Sequence, residues 1–337
     1  MIRIPSEVTD DASAAADEPP PDPFDGPWKM ALGKFFPEFL VFFFPDVHEA
    51  IDWSRGHAFL DKELRSVVRR VSGTRKTAGT GSMAVDKLVR VHRKQGGEQW
   101  IYVHIEVQAS RKTDFAKRMF VYHGRLFERF DQPVASLAVL ADTSPGWRPD
   151  GYGHELLGCS VQMRFPMVKL LDWADDIDGL LADPNPFAIV AAAHLLTRRT
   201  RGRPRQRQAA KRRLVRLLYE RGWSRRRVVD LFGVLDWMMT LSEADNDRLW
   251  QDIEAYEEGR KMRFITSVER IGIRKGIEQG VDKGRGQILL EQLSHRFGSL
   301  PEAVVTRVES GSPTDVGRWA RRVLDARRLD DVFAEDA

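Results

Sequence analysis

A change of hydrophobic period between residues 85 and 107 constrains the fold most strongly. Apolar residues there occupy odd-numbered positions on both sides of a glycine pair at 96–97, namely Val85, Val89, Val91, Ile101, Val103, Ile105 and Val107. Alternation with a period of two is typical of a β-strand that buries one face. Two such runs around a glycine-containing break predict a β-hairpin.

The register of this hairpin brings two carboxylates together. Residues that face each other on two paired strands lie on the same side of the sheet. Because the apolar residues of both strands have odd numbers, the numbers of two facing residues must sum to an even number. That register requires a loop of odd length or a bulge between the strands. In that register Asp86 lies opposite, or diagonal to, Glu106 and Gln108, on the face away from the apolar residues. Neighbouring carboxylates repel, and a hard divalent cation such as Mg²⁺ relieves that repulsion. Acidic residues on such a face are also typical of solvated surface, and the spacing leaves both interpretations open.

Helical and extended segments flank the hairpin. Helical spacing from Pro27 to Val71 predicts two helices, the second over about 57–71, followed by a loop at 72–82. After the hairpin we predict a helix over 111–131, a buried strand over 134–141, one more strand over 152–162 and a short apolar piece at 165–171. From about residue 185 the pattern is helical, with segments at 186–198, 206–221, 224–240, 243–270, 287–298, 301–309 and 313–328. This order predicts an α/β (α+β) fold, a mixed sheet flanked by helices and followed by an all-helical region.

The predicted organisation has five parts. They are a disordered acidic tail (1–26), a sheet-containing core (27–180), a helical region (181–270), a linker with repeated glycines (271–286) and a small helical C-terminal domain (287–337). Glycine recurs there at 272, 276, 280 and 284, a run that weakens an isolated helix but suits a low-complexity linker or a close-packed oligomer contact. We therefore predict a homo-oligomer through the C-terminal helices, with a simple linker as the alternative.

Charge is distributed unevenly although the net charge is only +4. Residues 1–26 carry seven acidic residues against one basic residue, whereas residues 198–227 carry fourteen lysines or arginines against the single acid Glu220. Such a basic segment favours a polyanionic partner, although a solvated helix face explains it equally well. The helix after the hairpin is also basic, and DNA is expected to contact Arg111, Lys112, Arg118, Tyr122 and Arg125, with core packing as the alternative role for Tyr122.

Several classes of protein are excluded by composition. A single cysteine, Cys159, allows neither an internal disulfide framework nor a zinc cluster made of cysteines alone, and we expect it to be a small buried residue. No apolar stretch approaches the roughly 20 residues that span a bilayer, and no secretory signal segment opens the chain. The sequence therefore predicts a soluble, cytoplasmic protein without membrane partners.

Four segments together resemble a known family. They are residues 85–91 (Val-Asp-Lys-Leu-Val-Arg-Val), 104–108 (His-Ile-Glu-Val-Gln), 115–122 (Phe-Ala-Lys-Arg-Met-Phe-Val-Tyr) and 140–149, which begins Leu-Ala-Asp and ends Gly-Trp-Arg-Pro. In this order they are similar to the recombination-promoting nuclease / putative transposase family of bacteria, within the PD-(D/E)XK nuclease superfamily. The resemblance covers about residues 45–260. The segment from Gln287 resembles a small helical domain of unknown function that is often appended to these proteins.

The resemblance implies a restriction-endonuclease-like core at 27–180 and a Mg²⁺- or Mn²⁺-dependent DNA endonuclease acting in DNA recombination or element mobility. It implies that Asp86 and Glu106 are metal ligands and that Gln108 occupies the usual lysine position, where it orients water or phosphate without supplying charge. Glu63 matches the position of an additional acidic ligand, although a solvent-facing helix residue is an equal alternative. The competing hypothesis is a catalytically weak or inactive DNA-binding or scaffold protein that retains the nuclease fold.

Overall fold

The computed structural model describes residues 24–60, 85–95, 100–108, 111–260, 282, 284–326 and 328–334, with the backbone alone for 85, 86, 100–108 and 260. Helix α1 (Asp25–Phe43) buries one continuous aromatic and aliphatic stripe that includes Trp28, Phe36 and Phe39. The helix is kinked at Phe35, two residues before Pro37, because proline cannot donate the backbone hydrogen bond that a regular turn requires. A short helix α2 (Pro45–Glu49) follows. The predicted acidic tail lies outside the described residues except for its last three.

A five-stranded mixed sheet forms the centre of the molecule. Its strands are β1 (His57–Phe59), β2 (Val85–His92), β3 (Trp100–Gln108), β4 (Val134–Leu140) and a short last strand, Met167–Lys169, and they lie side by side in that order. The pairs β1–β2 and β2–β3 are antiparallel, whereas β3 pairs parallel with β4, and β4 pairs parallel with the last strand. The predicted hairpin is therefore confirmed, and His92 and Trp100, which have seven residues between them in the sequence, are its last paired residues.

Strand β1 overturns part of the sequence prediction. The helical spacing predicted a helix over 57–71, yet His57–Phe59 pair antiparallel with Val89–Val91. The ring of Phe59 lies 6.0 Å from that of Phe36 in α1, so this residue packs against a helix although it belongs to a strand. Three residues are too few to show a period of two, and the pairing strand is distant in sequence. The remainder of that predicted helix and the loop at 72–82 lie outside the described residues.

Helix α3 (Phe115–Phe130) connects β3 to β4 and covers one face of the sheet. Its buried residues are Phe115, Met119, Tyr122 and Leu126, which confirms the predicted stripe. Leu88 of β2 is fully buried against Leu126, so the face that alternation assigned to solvent is covered by a second layer. The prediction of one apolar face was wrong, because the pattern within the hairpin does not show that a helix outside the hairpin, α3, covers its second face. The opposite face, with Val89 and Val139, packs against α1.

The region predicted as one strand at 152–162 is a separate two-stranded hairpin. Strands β5 (Gly151–Leu156) and β6 (Cys159–Arg164) pair antiparallel around a two-residue turn, Leu157–Gly158. Cys159 at the start of β6 is exposed, so the expectation that it is buried was wrong. The turn at Leu157–Gly158 reverses the chain in the middle of the segment that was predicted to be a single strand. The last strand of the main sheet is named β7 (Met167–Lys169) and falls in the short apolar piece.

The described residues from 177 onward are mainly helical, which agrees with the prediction of helices from about residue 185. The helices are α4 (Ile177–Ala182), α5 (Pro186–Arg199), α6 (Pro204–Glu220), α7 (Arg225–Met238), α8 (Glu243–Arg260), α9 (284–297), α10 (Glu302–Ser310), α11 (Pro313–Asp325) and α12 (Leu329–Val332). Helices α5 to α8 share one hydrophobic cluster with α1 and the sheet, whereas α9 to α12 form a second cluster around Trp319. Within the described ranges, no helix is both long and apolar enough to cross a membrane.

Candidate active site at the carboxyl edge of the sheet

Three of the predicted site residues, Asp86, Glu106 and Gln108, lie at one edge of the mixed sheet. Strands β3, β4 and β7 are parallel, so their carboxyl ends meet at this edge, and the antiparallel β2 begins there. We call it the carboxyl edge. Two rows of backbone partners cross the sheet at this position: Asp86, Glu106, Ala138 and Met167 form one, and Gln108, Leu140 and Lys169 form the next. The predicted opposition of Asp86 and Glu106 is therefore confirmed at the level of the backbone.

Both rows belong to the face that α3 covers. Laterally paired residues in neighbouring strands share one face of a sheet. The side chains of Ala138 and Leu140 are buried in a cluster with Phe115 and Met119 of α3. At the described positions Ala138 and Leu140, the face that was expected to point away from the core is therefore covered by α3.

The metal ligands remain a prediction. Among the described side chains, no group of three or more histidine, cysteine, aspartate or glutamate residues is arranged to hold a metal. Asp86, Glu106 and Gln108 are described by their backbone only, and Glu63 lies outside the described residues. The structure thus brings three of the four predicted residues to one edge by register. The fourth is not tested.

Basic side chains flank the buried stripe of α3. Arg118 and Arg125 are both half-buried and are seven residues apart, which places them on the same side of the helix. Arg111, before the helix, is exposed, and Lys112 is half-buried. Tyr122 is only 9% exposed and belongs to the buried stripe, so its observed role is packing.

Helix α3 is also joined to the sheet by a polar contact. Nδ1 of His123 lies 3.2 Å from the hydroxyl of the buried Ser136 in β4, at hydrogen-bonding distance. Burial lowers the pKa of His123, so its neutral form is favoured. This contact fixes α3 against the strand that neighbours β3, and it therefore helps to set the position of Arg118 and Arg125 relative to the carboxyl edge.

A buried ion pair at the carboxyl edge was missed by sequence reasoning. Nζ of Lys169 lies 2.7 Å from Oδ2 of Asp142, and the two side chains are 0% and 2% exposed. The same ammonium donates to the carbonyl of Trp147 at 3.0 Å and lies 5.6 Å from the centre of its ring. A lysine inside the apolar run 165–171 was the signal that a buried cation needed a partner.

Helix α5 reaches the carboxyl edge from the other face of the sheet. The guanidinium of Arg198, in its last turn, donates a hydrogen bond to the carbonyl oxygen of Ala141. Ala141 directly follows Leu140, the backbone partner of Gln108. The basic segment at 198–227 therefore begins beside the candidate site, a relationship that no local sequence pattern shows.

Much of that basic segment is engaged within the protein. Lys211 is fully buried and its Nζ lies 2.6 Å from Oδ1 of Asp236, and burial lowers the pKa of Lys211 against the opposing effect of that carboxylate. Other contacts join the segment to acids and carbonyls: Arg207 to Thr197, Arg212 to Asp252, Arg213 to Asp178, Arg221 to Leu181 and Arg227 to Glu38. These side chains stabilise the helical layer, so the segment is not one continuous polyanion-binding surface.

Comparisons of the chain with protein-family models, with curated proteins and with solved structures find no match. The resemblance to a nuclease family therefore stays a prediction, and the geometry of the carboxyl edge is the basis for a functional proposal.

Proposed function

We propose that the protein is a Mg²⁺- or Mn²⁺-dependent DNA endonuclease whose active site lies at the carboxyl edge. The observation that supports this most directly is the backbone pairing of Asp86 with Glu106. Directly opposed residues of an antiparallel pair have Cβ atoms about 4.5–5.5 Å apart. Two carboxylates at that separation suit a single hard cation, since each then supplies an oxygen ligand.

The donor set fits a divalent metal by its chemistry. Asp86 and Glu106 would hold the ion, and Gln108, two residues beyond Glu106 on β3, would supply a neutral amide at the adjacent row. A bound Mg²⁺ or Mn²⁺ supplies an activated water and neutralises the charge that develops on the phosphoryl group. Gln108 would orient that water or the scissile phosphate through hydrogen bonds, because an amide both donates and accepts.

The surrounding residues support a polyanionic substrate. Arg118 and Arg125 lie on one side of α3, the helix that packs over the row containing Glu106, and Arg111 is exposed just before that helix. Guanidinium groups bind phosphate oxygens in a bidentate manner and keep their charge at every physiological pH. Phosphate contacts of this kind position a duplex without reading its sequence, which suits hydrolysis of phosphodiester bonds in DNA recombination or element mobility.

One observation favours the second candidate, a DNA-binding or scaffold protein without efficient catalysis. Gln108 carries no charge, and Lys169, in the same row two strands away, is fully buried and paired with Asp142. A catalytic cation at this edge would therefore come from a different residue. We expect slow but metal-dependent cleavage for the nuclease and salt-sensitive binding without cleavage for the scaffold.

Nicking of a supercoiled plasmid by the full chain separates these candidates. We expect open-circular product in Mg²⁺ or Mn²⁺, none in EDTA, and loss of cleavage in Asp86→Ala and Glu106→Ala. Loss of an outer-shell partner of a metal ligand costs 10- to 100-fold, so loss of a ligand should cost more than about 100-fold. Asp175→Ala is the matched control, because Asp175 is an exposed aspartate in a turn. Unchanged cleavage in both site variants would overturn the site, and DNA binding without cleavage under either metal would favour the scaffold.

A further inference from the structure

The turn between α5 and α6 concentrates exposed arginines beside the candidate active site. Arg199, Arg201, Arg203 and Arg205 are all exposed, and no acidic residue occurs between residues 198 and 219. We call these four residues and the backbone that carries them the arginine turn (199–205). Elsewhere in the basic segment, Lys211 is buried against Asp236 and is a structural cation.

The arginine turn is held in a fixed conformation. Thr200 is buried, and its hydroxyl donates to the carbonyl of Leu196 at 2.7 Å. The guanidinium of Arg207 donates to the carbonyl of Thr197 at 2.7 Å, which closes the turn from the α6 side. Gly202 adopts a positive φ of 70°, a conformation that glycine reaches without strain. A surface that is already ordered loses less conformational entropy when it binds a partner.

The position of the arginine turn links it to the carboxyl edge. Arg198 directly precedes the turn and donates to the carbonyl of Ala141, one residue beyond the backbone partner of Gln108. Neighbouring strands lie about 4.8 Å apart, so Gln108 and this anchored carbonyl are near neighbours in the sheet. A duplex is wide enough to contact both an exposed turn and the adjacent edge, because its major groove alone is about 12 Å across.

We propose that the arginine turn binds the phosphate backbone of double-stranded DNA next to the site of cleavage. This inference rests on the proposed function, since it assigns the neighbouring edge to DNA hydrolysis. Four arginines without an intervening acid present the positive charge that a phosphate backbone recognises without sequence preference. The turn holds the duplex while the carboxyl edge acts on one phosphodiester.

Salt dependence gives this proposal a quantitative form. Each phosphate neutralised on duplex DNA contributes about 0.9 to the slope of log K against log salt concentration. Four contacts would contribute a slope of about 3.6, which corresponds to a change in affinity on the order of 100-fold between 50 and 200 mM KCl. A variant without these contacts should lose both affinity at low salt and that part of the slope.

Fluorescence anisotropy of a labelled 20-base-pair duplex with the full chain in EDTA provides the test, because EDTA prevents cleavage during the titration. The test variant replaces Arg199, Arg201, Arg203 and Arg205 with glutamine. A second variant replaces the same four with lysine, which keeps the charge. The matched control replaces four exposed arginines elsewhere with glutamine, namely Arg226, Arg248, Arg285 and Arg321. Circular dichroism melting of each variant checks the fold.

We expect the glutamine variant of the turn to bind at least about tenfold more weakly at 50 mM KCl, with a slope lower by two or more. The lysine variant should retain most of the affinity, and the matched control should lose less than the turn variant. Equal losses in turn variant and control, or stronger competition by single-stranded DNA or by RNA than by duplex, would overturn the proposal. Plasmid nicking by the wild-type chain separates the two hypotheses: its absence contradicts the proposed function, whereas unchanged binding by the turn variant contradicts this one.

Discussion

Lys169 donates a hydrogen bond to Asp142 over 2.7 Å within the protein core, and neither side chain is more than 2% exposed. Lys169 ends β7, and Asp142 lies two residues beyond the end of β4, its parallel neighbour. The ion pair therefore links the carboxyl ends of β4 and β7. The backbone N–H of Ser144 also donates to Asp142, at 2.7 Å, so Asp142 stabilises the turn that follows β4 as well.

Loss of one member of this pair should destabilise the protein strongly. Lys169→Met leaves a buried carboxylate without its cation, and we expect the free energy of unfolding to fall by about 3–5 kcal/mol. The double variant Lys169→Met with Asp142→Leu removes both charges and should recover at least half of that loss. Urea denaturation of the three proteins measures the effect. A single variant as stable as wild type would contradict a structural role for the pair.

His194 in α5 should make stability depend on pH. Nε1 of Trp28 donates to Nδ1 of His194 at 3.2 Å, and the ring is fully buried. Burial, and secondarily the charge of Arg198, lower the pKa of His194 from 6.5 to about 3. The unfolded chain therefore binds the extra proton first, so stability is full above pH 6.5 and declines as the pH falls from 6.5 towards 3.

The expected contribution is up to about 1.4 kcal/mol per pH unit in that window. Urea midpoints measured between pH 4 and pH 8 should show a shallower dependence in His194→Gln than in wild type. His295→Gln is the matched control, because His295 is exposed on α9. Identical pH profiles for wild type and His194→Gln would refute a neutral buried histidine.

The turn of the β5–β6 hairpin carries local strain. Leu157 has a positive φ of 52° and is 98% exposed, and Gly158 follows with φ of 79°. Two consecutive positive φ values define the hairpin turn that asparagine followed by glycine prefers. Leu157→Asn should therefore stabilise the hairpin by about 1 kcal/mol, since a leucine tolerates this conformation poorly.

Hydrogen exchange of the β5 and β6 amides reports on this local change. A gain of about 1 kcal/mol slows exchange through local opening roughly fivefold. Gly158→Ala should have the opposite effect, because alanine has a side chain where the backbone favours glycine. Faster exchange in Leu157→Asn would show that the leucine side chain stabilises the hairpin instead.

Removal of residues 1–23 should increase affinity for duplex DNA. This deletion removes six acidic residues and one arginine. The ring of Phe24, the first described residue, lies 3.9 Å from that of His194, one helical turn before Arg198. We expect binding at 50 mM KCl to tighten about threefold or more, because the deletion removes net negative charge that repels the phosphate backbone. Weaker binding after the deletion would contradict this electrostatic effect.

Local patterns predicted those parts of the fold that depend on neighbouring residues. The alternation of apolar residues predicted that Asp86 and Glu106 share a face and lie opposite or diagonal to each other, and the structure shows that they are direct backbone partners. The stripe of α3 was equally predictable from a period of 3.6. In both cases the signal lies within about twenty residues of sequence.

Tertiary contacts decided what the sequence did not show. Leu88 is buried because α3 packs over it, and β1 is a strand because β2 pairs with it. Arg213 and Arg227 resemble DNA-binding residues in the sequence, yet their partners, Asp178 and Glu38, lie 35 and 189 residues away. Single-sequence patterns carry no information about such distant partners, so the basic segment could not be divided into structural and exposed parts.

We propose that Asp86 and Glu106 act together at one metal site. A double-mutant cycle on the rate of plasmid nicking in Mn²⁺ tests it most directly, with Asp86→Asn, Glu106→Gln and the double variant. Residues that act as a unit show strongly non-additive effects on catalysis. We predict that each single variant loses about as much activity as the double variant. Independent, multiplying losses, or wild-type rates in both single variants, would contradict a shared site.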